Sequence, residues 1–144
     1  VVDDALDLYR APGEEAGIAF EAALDPATVA GDRDLLFQMV ANLLDNALKF
    51  APPGSSVQVR TQCLAGKSRL LVSDRGPGVP AAERERVFDR FYRVERSRHA
   101  PGSGLGLALV KAVVDHHRGT VWLEDAAPGL RVVAELPAAD SRTP

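Results

Sequence analysis

Between Arg33 and Phe50 the apolar residues recur with the period of a helix. Leu36, Val40, Leu43, Leu44, Ala47 and Leu48 fall on one broad side, while Gln38, Asn42, Asp45, Asn46 and Lys49 gather on the other. Asp32 stands at the N-cap position, although Leu35 occupies the place where a capping box carries Glu or Gln, and Pro52-Pro53-Gly54 ends the run. Upstream, Val1 to about Glu15 has the spacing of an amphipathic helix that Pro12-Gly13 ends or kinks. Ile18 to Leu24 alternates, with Ile18, Phe20 and Ala22 on one side, and predicts a first strand before the Asp25-Pro26 turn.

Downstream, Val57, Val59, Thr61 and Cys63 alternate. A break at Ala65-Gly66-Lys67 and the run Arg69 to Asp74 complete a hairpin whose second strand delivers Asp74 at its end. From Ala81 to Pro101 the chain is charged and irregular, with Phe88, Phe91 and Tyr92 as its aromatic anchors, a long connection of the kind that forms lids. Gly102-Ser103-Gly104-Leu105-Gly106-Leu107 then opens a helix to about His117. Its narrow polar stripe of Lys111, Asp115 and Arg118 predicts extensive burial. Gly119 stops it, and Thr120 to Glu124 and Leu130 to Leu136 alternate as two final strands around a turn at Ala126 to Gly129. Residues from Ala138 onward have the composition of a flexible tail.

The chain has 144 residues and 46% hydrophobic content, enough for one domain with its own core. A net charge of −3, with Lys and Arg dispersed among Asp and Glu, argues against non-specific nucleic-acid binding. No apolar run approaches the roughly 20 residues that cross a bilayer, and no signal-peptide pattern opens the chain. Cys63 is the single cysteine, so no internal disulfide forms. Because Val1 falls inside a helical pattern, the expected organisation is the end of an upstream helix or linker over 1–16, a main body over 17–137 and a tail over 138–144.

Four stretches carry chemistry. The first is the amide face of the long helix. Asn is a poor helix former, costing about 0.5 kcal/mol against Ala, so Asn42 and Asn46 one turn apart, with Lys49 beyond them, form either a solvated face or a cradle for a hydrated divalent cation and phosphate oxygens. The second is Asp74-Arg75-Gly76-Pro77-Gly78, a carboxylate at a strand end before two glycines. This is a plain turn, or an acceptor for an exocyclic amine such as that of adenine, with guanine disfavoured because it leaves the acid unpaired.

The third is the glycine-rich helix start. Its orphan N–H groups and positive dipole end suit phosphate, and its glycines also suit close helix packing. No strand precedes it and no Gly-Lys-Ser or Gly-Lys-Thr follows, so neither a dinucleotide fingerprint nor a P-loop fits. The fourth is Phe88 to Arg93, where aromatics can pin a lid and Arg93, Arg96 or Arg98 can reach a phosphate.

In this order the four stretches resemble the catalytic ATP-binding domain of bacterial sensor histidine kinases, within the gyrase, chaperone and histidine-kinase superfamily. Asn42 to Phe50 resembles the N box, Asp74 to Gly78 the first glycine box, Phe88 to Phe91 the F box, and Gly102 to Leu107 the second glycine box. The resemblance spans Gly31 to about Leu136. It implies an α/β fold of the Bergerat type: a two-layer sandwich of a mixed sheet backed by about three helices, with an ATP lid between the glycine boxes.

It further implies ATP and Mg2+ as ligands. Asn46 is then the metal ligand, with Asn42 a second metal or phosphate contact, and Lys49 and Arg93 stabilise phosphate. Asp74 reads adenine. Phe50, Gly76, Gly78, Val79, Phe91, Gly102, Ser103, Gly104, Leu105, Gly106 and Leu107 complete the binding site. Phe50 stands where the family often has Tyr, so a hydroxyl contact is lost.

Relatives of the gyrase and chaperone type carry a Glu one turn before the magnesium Asn, where it activates water. Here that place holds Asn42, an amide that is no general base near neutral pH. Neutral imidazole is already a nucleophile, so transfer to histidine does not need that Glu. None of His99, His116 and His117 sits in the family's phosphoacceptor pattern, and His116 and His117 at a helix end suit capping or packing.

The expected protein is therefore the ATP-binding part of a protein-histidine kinase in a two-component system. It takes its acceptor from an upstream dimerisation hairpin, feeds a response regulator, and is unable to phosphorylate itself when isolated. The expected full-length form is a homodimer, the fragment a monomer, and the location cytoplasmic, with or without a membrane anchor. The alternatives are a gyrase-type ATPase and a nucleotide-binding regulatory or docking module without transfer.

Overall fold

The computed structural model describes residues 1–89 and 106–139. In chain order these form α1 (Val2–Glu15), β1 (Ala19–Leu24), α2 (Arg33–Phe50), β2 (Ser56–Leu64), β3 (Lys67–Ser73), two single 3-10 turns (Ala81–Glu83 and Arg86–Phe88), α3 (Gly106–His116), β4 (Thr120–Asp125) and β5 (Leu130–Pro137). The five strands make one sheet in the order β1-β2-β3-β5-β4. β1 pairs parallel with β2, which requires a crossover that α2 supplies, and the other pairs are antiparallel. The sheet is mixed and backed by three helices, the two-layer arrangement expected above.

Strand alternation sorts the two faces. Val57, Val59, Leu70, Val72, Val132 and Ala134 are buried toward the helices. From the helix side, Leu36, Met39, Val40, Leu43, Leu44 and Ala47 of α2 and Val110, Val113 and Val114 of α3 meet them. Each such Val, Leu or Met side chain contributes roughly 1.5–3 kcal/mol by leaving water. The opposite face carries Arg69 bound to Glu135, with its guanidinium 5.6 Å from the Trp122 ring, and Arg131 bound to Glu124. Val133 lies beneath this layer at 1% exposure, between Leu71 and Trp122 in the register.

Four sequence expectations change in detail. α1 runs through Pro12 to Glu15, and Gly13 is buried so closely that a Cβ there would press on the Ile18 carbonyl and the Phe20 ring. Ala22 is exposed: on the edge strand β1 the body buries Ile18 and Phe20 and partly covers Leu24, but not Ala22 between them. α3 is less buried than its narrow polar stripe predicts, because it packs one stripe against α2 and the sheet and leaves its first turn half-exposed. Finally, Ala138 donates its N–H to Gly66 and Ala139 to Thr28, so the hydrogen-bonded chain extends two residues into the stretch read as tail.

α1 packs on α2 through Ala5 and Leu6, and Arg10 donates to the Phe20 carbonyl at 3.1 Å. The exposed Arg33–Asp4 pair adds at most a fraction of a kcal/mol.

Candidate nucleotide site

α2 is the centre of the site, and its start is built as the sequence predicts. Asp32 Oδ1 accepts the N–H groups of Asp34 at 2.9 Å and Leu35 at 3.1 Å, satisfying two of the orphan donors of the first turn. Its polar face then divides between two neighbours. Asp45 lies on the α1 side: the Tyr9 hydroxyl is pushed above its ordinary pKa by burial and, second, by the negative charge of Asp45. Asn42 lies on the α3 side, where a Cβ at Gly106 would stand 3.4 Å from Asn42 Oδ1. The Asn42 side-chain nitrogen donates to the Gln38 carbonyl at 2.7 Å, which orients the amide and leaves the oxygen as the acceptor turned toward α3. Asn46 and Phe50 are half-buried and Lys49 is exposed on the same helix.

The second wall is the segment after β3. Asp74 is 4% exposed, and its Oδ1 accepts the Gly76 N–H at 2.8 Å. Burial pushes its carboxyl above the usual carboxylate range, while backbone hydrogen bonding from Gly76 and Leu130 opposes the rise. Two glycines let this segment sit where it does. A Cβ on Gly76 would run into the Phe50 carbonyl oxygen, so Gly76 is what brings the carboxylate segment against the last turn of α2. A Cβ on Gly129, which has φ +104°, would overlap the Asp74 carbonyl oxygen. The Asp74 N–H bonds Leu130 O at 2.9 Å, so the β4–β5 turn holds Asp74 from behind. Gly78 and Val79 follow, and Val79 is half-buried against the core.

The third wall is the first turn of α3, where Gly106 and the half-buried Leu107 are described. Phe91, Arg93, Gly102, Ser103, Gly104 and Leu105 lie outside the described residues, as do Arg96, Arg98 and His99. The structure therefore brings together, around α2, Asn42 with Gly106 and Phe50 with Gly76.

Two contributors carry no signal in the sequence, and a third reaches further than expected. Gly129 looked like part of an ordinary turn, and its contact with Asp74 arises only from strand order. Leu130 supplies a main-chain oxygen that no side-chain pattern can announce. His117, expected to cap or pack, does both: its Nδ1 is 2.8 Å from Val113 O, and its Nε2 is 3.1 Å from the backbone nitrogen of Asp32.

Among the described residues no group of three or more His, Cys, Asp or Glu could hold a metal. The side-chain amide oxygens of Asn42 and Asn46 are hard donors of the type that suits Mg2+, and these two residues could hold such a cation. Among the same residues no helix is long and apolar enough to cross a membrane.

Known proteins share this fold and sequence. The family model described as "Histidine kinase-, DNA gyrase B-, and HSP90-like ATPase" matches residues 31–140. The signal transduction histidine-protein kinase/phosphatase MprB of Mycolicibacterium vanbaalenii is 49% identical over 130 residues, covering 90% of this chain and 26% of that protein. The chain thus spans about a quarter of the length of the curated relatives it matches. Among solved structures, a mycobacterial sensor histidine kinase MprB superposes with TM-score 0.85 at 41% identity over 95% of this chain and 91% of that one. Full-length ShkA in complex with AMPPNP gives 0.84 at 29% identity, over 97% of this chain and 30% of that one. Fold, site and sequence together place this chain in the histidine kinase-, DNA gyrase B- and HSP90-like ATPase family, as the ATP-binding catalytic domain of a sensor histidine kinase.

Proposed function

We propose that this domain presents Mg-ATP for transfer of the γ-phosphoryl group to a histidine outside these 144 residues, within a two-component kinase that then supplies a response regulator. The observation that carries the reading is the pairing of a buried acceptor, Asp74, with an amide at position 42 in place of a general base.

Adenine seats its exocyclic amine against Asp74, and that donor offsets the cost of burying the carboxylate. The phosphates extend along α2 toward Gly106. Lys49 supplies positive charge there, and Mg2+, when bound, neutralises phosphate charge from the Asn46 and Asn42 oxygens. The neutral imidazole nitrogen of the acceptor attacks the γ-phosphorus in line with the β–γ bridging oxygen. The P–N bond forms, the bridging P–O bond breaks, and ADP leaves with that electron pair. Asn42 cannot take a proton from water, so hydrolysis gains little from this site while transfer to an imidazole loses nothing.

The test is to mix this chain with the separately prepared phosphoacceptor hairpin of the same protein and labelled ATP. Acid-labile, base-stable label on the hairpin is the expected result. Multiple-turnover phosphate release by the chain alone would favour a self-contained ATPase. Nucleotide binding without either activity would favour a regulatory module.

A further inference from the structure

α2 and α3 lie antiparallel, and His117 joins them at the end opposite the nucleotide site. The Val113 carbonyl can only accept a hydrogen bond and the Asp32 N–H can only donate one. The two bonds of the ring therefore assign its state: Nδ1 carries the proton and donates to Val113, and Nε2 is a bare acceptor for Asp32. The bond to Asp32 falls on the residue that caps α2, and it satisfies a donor that an N-cap side chain leaves unpaired. Gly31 is shaped to this ring, because a Cβ there would overlap the imidazole. The following residues anchor the same helix end to the sheet. Gly119 donates to Val114 O at 2.9 Å and leaves no room for a Cβ against the Glu135 carbonyl. α3 is thus fixed at its C-terminal end to both α2 and β5, and its other end carries Gly106 past Asn42.

We propose that His117 is a positioning residue for the nucleotide site. Its neutral imidazole clasps the start of α2 and sets the register of α3 along α2, and so the placement of Gly106 against Asn42 some ten residues, about 15 Å, away. The inference rests on the nucleotide-binding reading above and adds a residue that does not touch the nucleotide. Gln at this position keeps a neutral acceptor on a side chain of comparable reach; Ala removes it. Gly31→Ala attacks the same clasp from the other side, by displacing the ring.

The experiment compares the parent chain with His117→Gln, His117→Ala, Gly31→Ala and the Gly31→Ala/His117→Ala pair, by Mg-ATP titration and by NMR. The expected imidazole nitrogen shifts in the parent are those of a ring protonated at Nδ1 alone. His117→Ala and Gly31→Ala each weaken Mg-ATP binding about fivefold, the affinity equivalent of one lost hydrogen bond. His117→Gln restores most of the affinity, and the double variant is no worse than either single one. Without nucleotide, the Asn42 side-chain amide and Gly106 backbone amide resonances shift in His117→Ala and return toward the parent in His117→Gln. Binding by His117→Ala equal to the parent, or a Gln variant as weak as Ala, overturns the proposal. If the parent binds no nucleotide, the proposed function fails instead. The Asn42 and Gly106 resonances then judge the clasp alone, and their indifference to His117→Ala overturns it.

Discussion

The two principal walls of the nucleotide site present polar groups by opposite means. On α2, Asn42, Asn46 and Lys49 lie on the solvent side of a helix whose other face is buried core, so their positions follow from helical periodicity and a capped start. On the Asp74 wall, a residue 4% exposed has its backbone held by Leu130 and Gly129, more than fifty positions further along the chain, while its carboxylate accepts the N–H of Gly76. The first wall costs the fold little more than poor helix propensity. The second keeps an acid out of water and depends on glycines that tolerate close backbone contact. The contrast separates side chains that can be altered without harming the fold from backbone contacts that cannot.

The comparison predicts that disturbing the backbone contacts that hold the Asp74 wall damages fold and function together. Gly129→Ala places a Cβ on the Asp74 carbonyl at a residue with φ +104°. It should cost about 3 kcal/mol or more of stability and abolish nucleotide binding, measured by denaturant unfolding and titration. An unchanged midpoint would mean that the β4–β5 turn does not hold Asp74.

Asp74→Asn should weaken ATP binding at least about tenfold, because the proposed acceptor for the adenine amine loses its charge and half its acceptor capacity. Its stability should move the other way. The folded-state pKa of Asp74 is raised, chiefly by burial, so the native chain holds the proton more tightly than the unfolded chain. Stability of the parent therefore falls as pH rises from the ordinary carboxylate range through the raised folded value. The Asn variant lacks this dependence, so its advantage is expected above that window and should vanish below it. Thermal unfolding of both proteins across acid pH measures this. A parent whose extra pH dependence runs in the opposite direction contradicts a desolvated Asp74.

Asn46→Ala sharpens the contrast from the other wall. It should remove the magnesium-dependent part of ATP affinity while raising stability by about 0.5 kcal/mol, the difference in helix propensity. Titration with and without Mg2+, beside a melting curve, checks both signs. Loss of stability would show that Asn46 serves the fold.

α2 was legible from Asp32 to Phe50 because capping, periodicity and the following prolines all point to one element. The β2–β3 hairpin and the delivery of Asp74 at its end were legible for the same reason. The parallel pairing of β1 with β2 and the insertion of β5 between β3 and β4 were not, since strand order is decided by how the faces cover one another. Gly129 and His117 belong to this second class. Each acts through a contact with a residue far away in sequence, Asp74 or Asp32, and neither carries a local signal that sets it apart from an ordinary turn glycine or helix-end histidine.

The most direct test of the account is a calorimetric titration of this chain with ATP and with GTP, each with and without Mg2+. Binding of ATP at least tenfold tighter than GTP, strengthened by Mg2+, is the predicted result: a buried acceptor that prefers an amine to a carbonyl, beside an amide face that holds a cation. Equal affinity for the two nucleotides, or ATP binding indifferent to Mg2+, would contradict the roles given to Asp74 and Asn46.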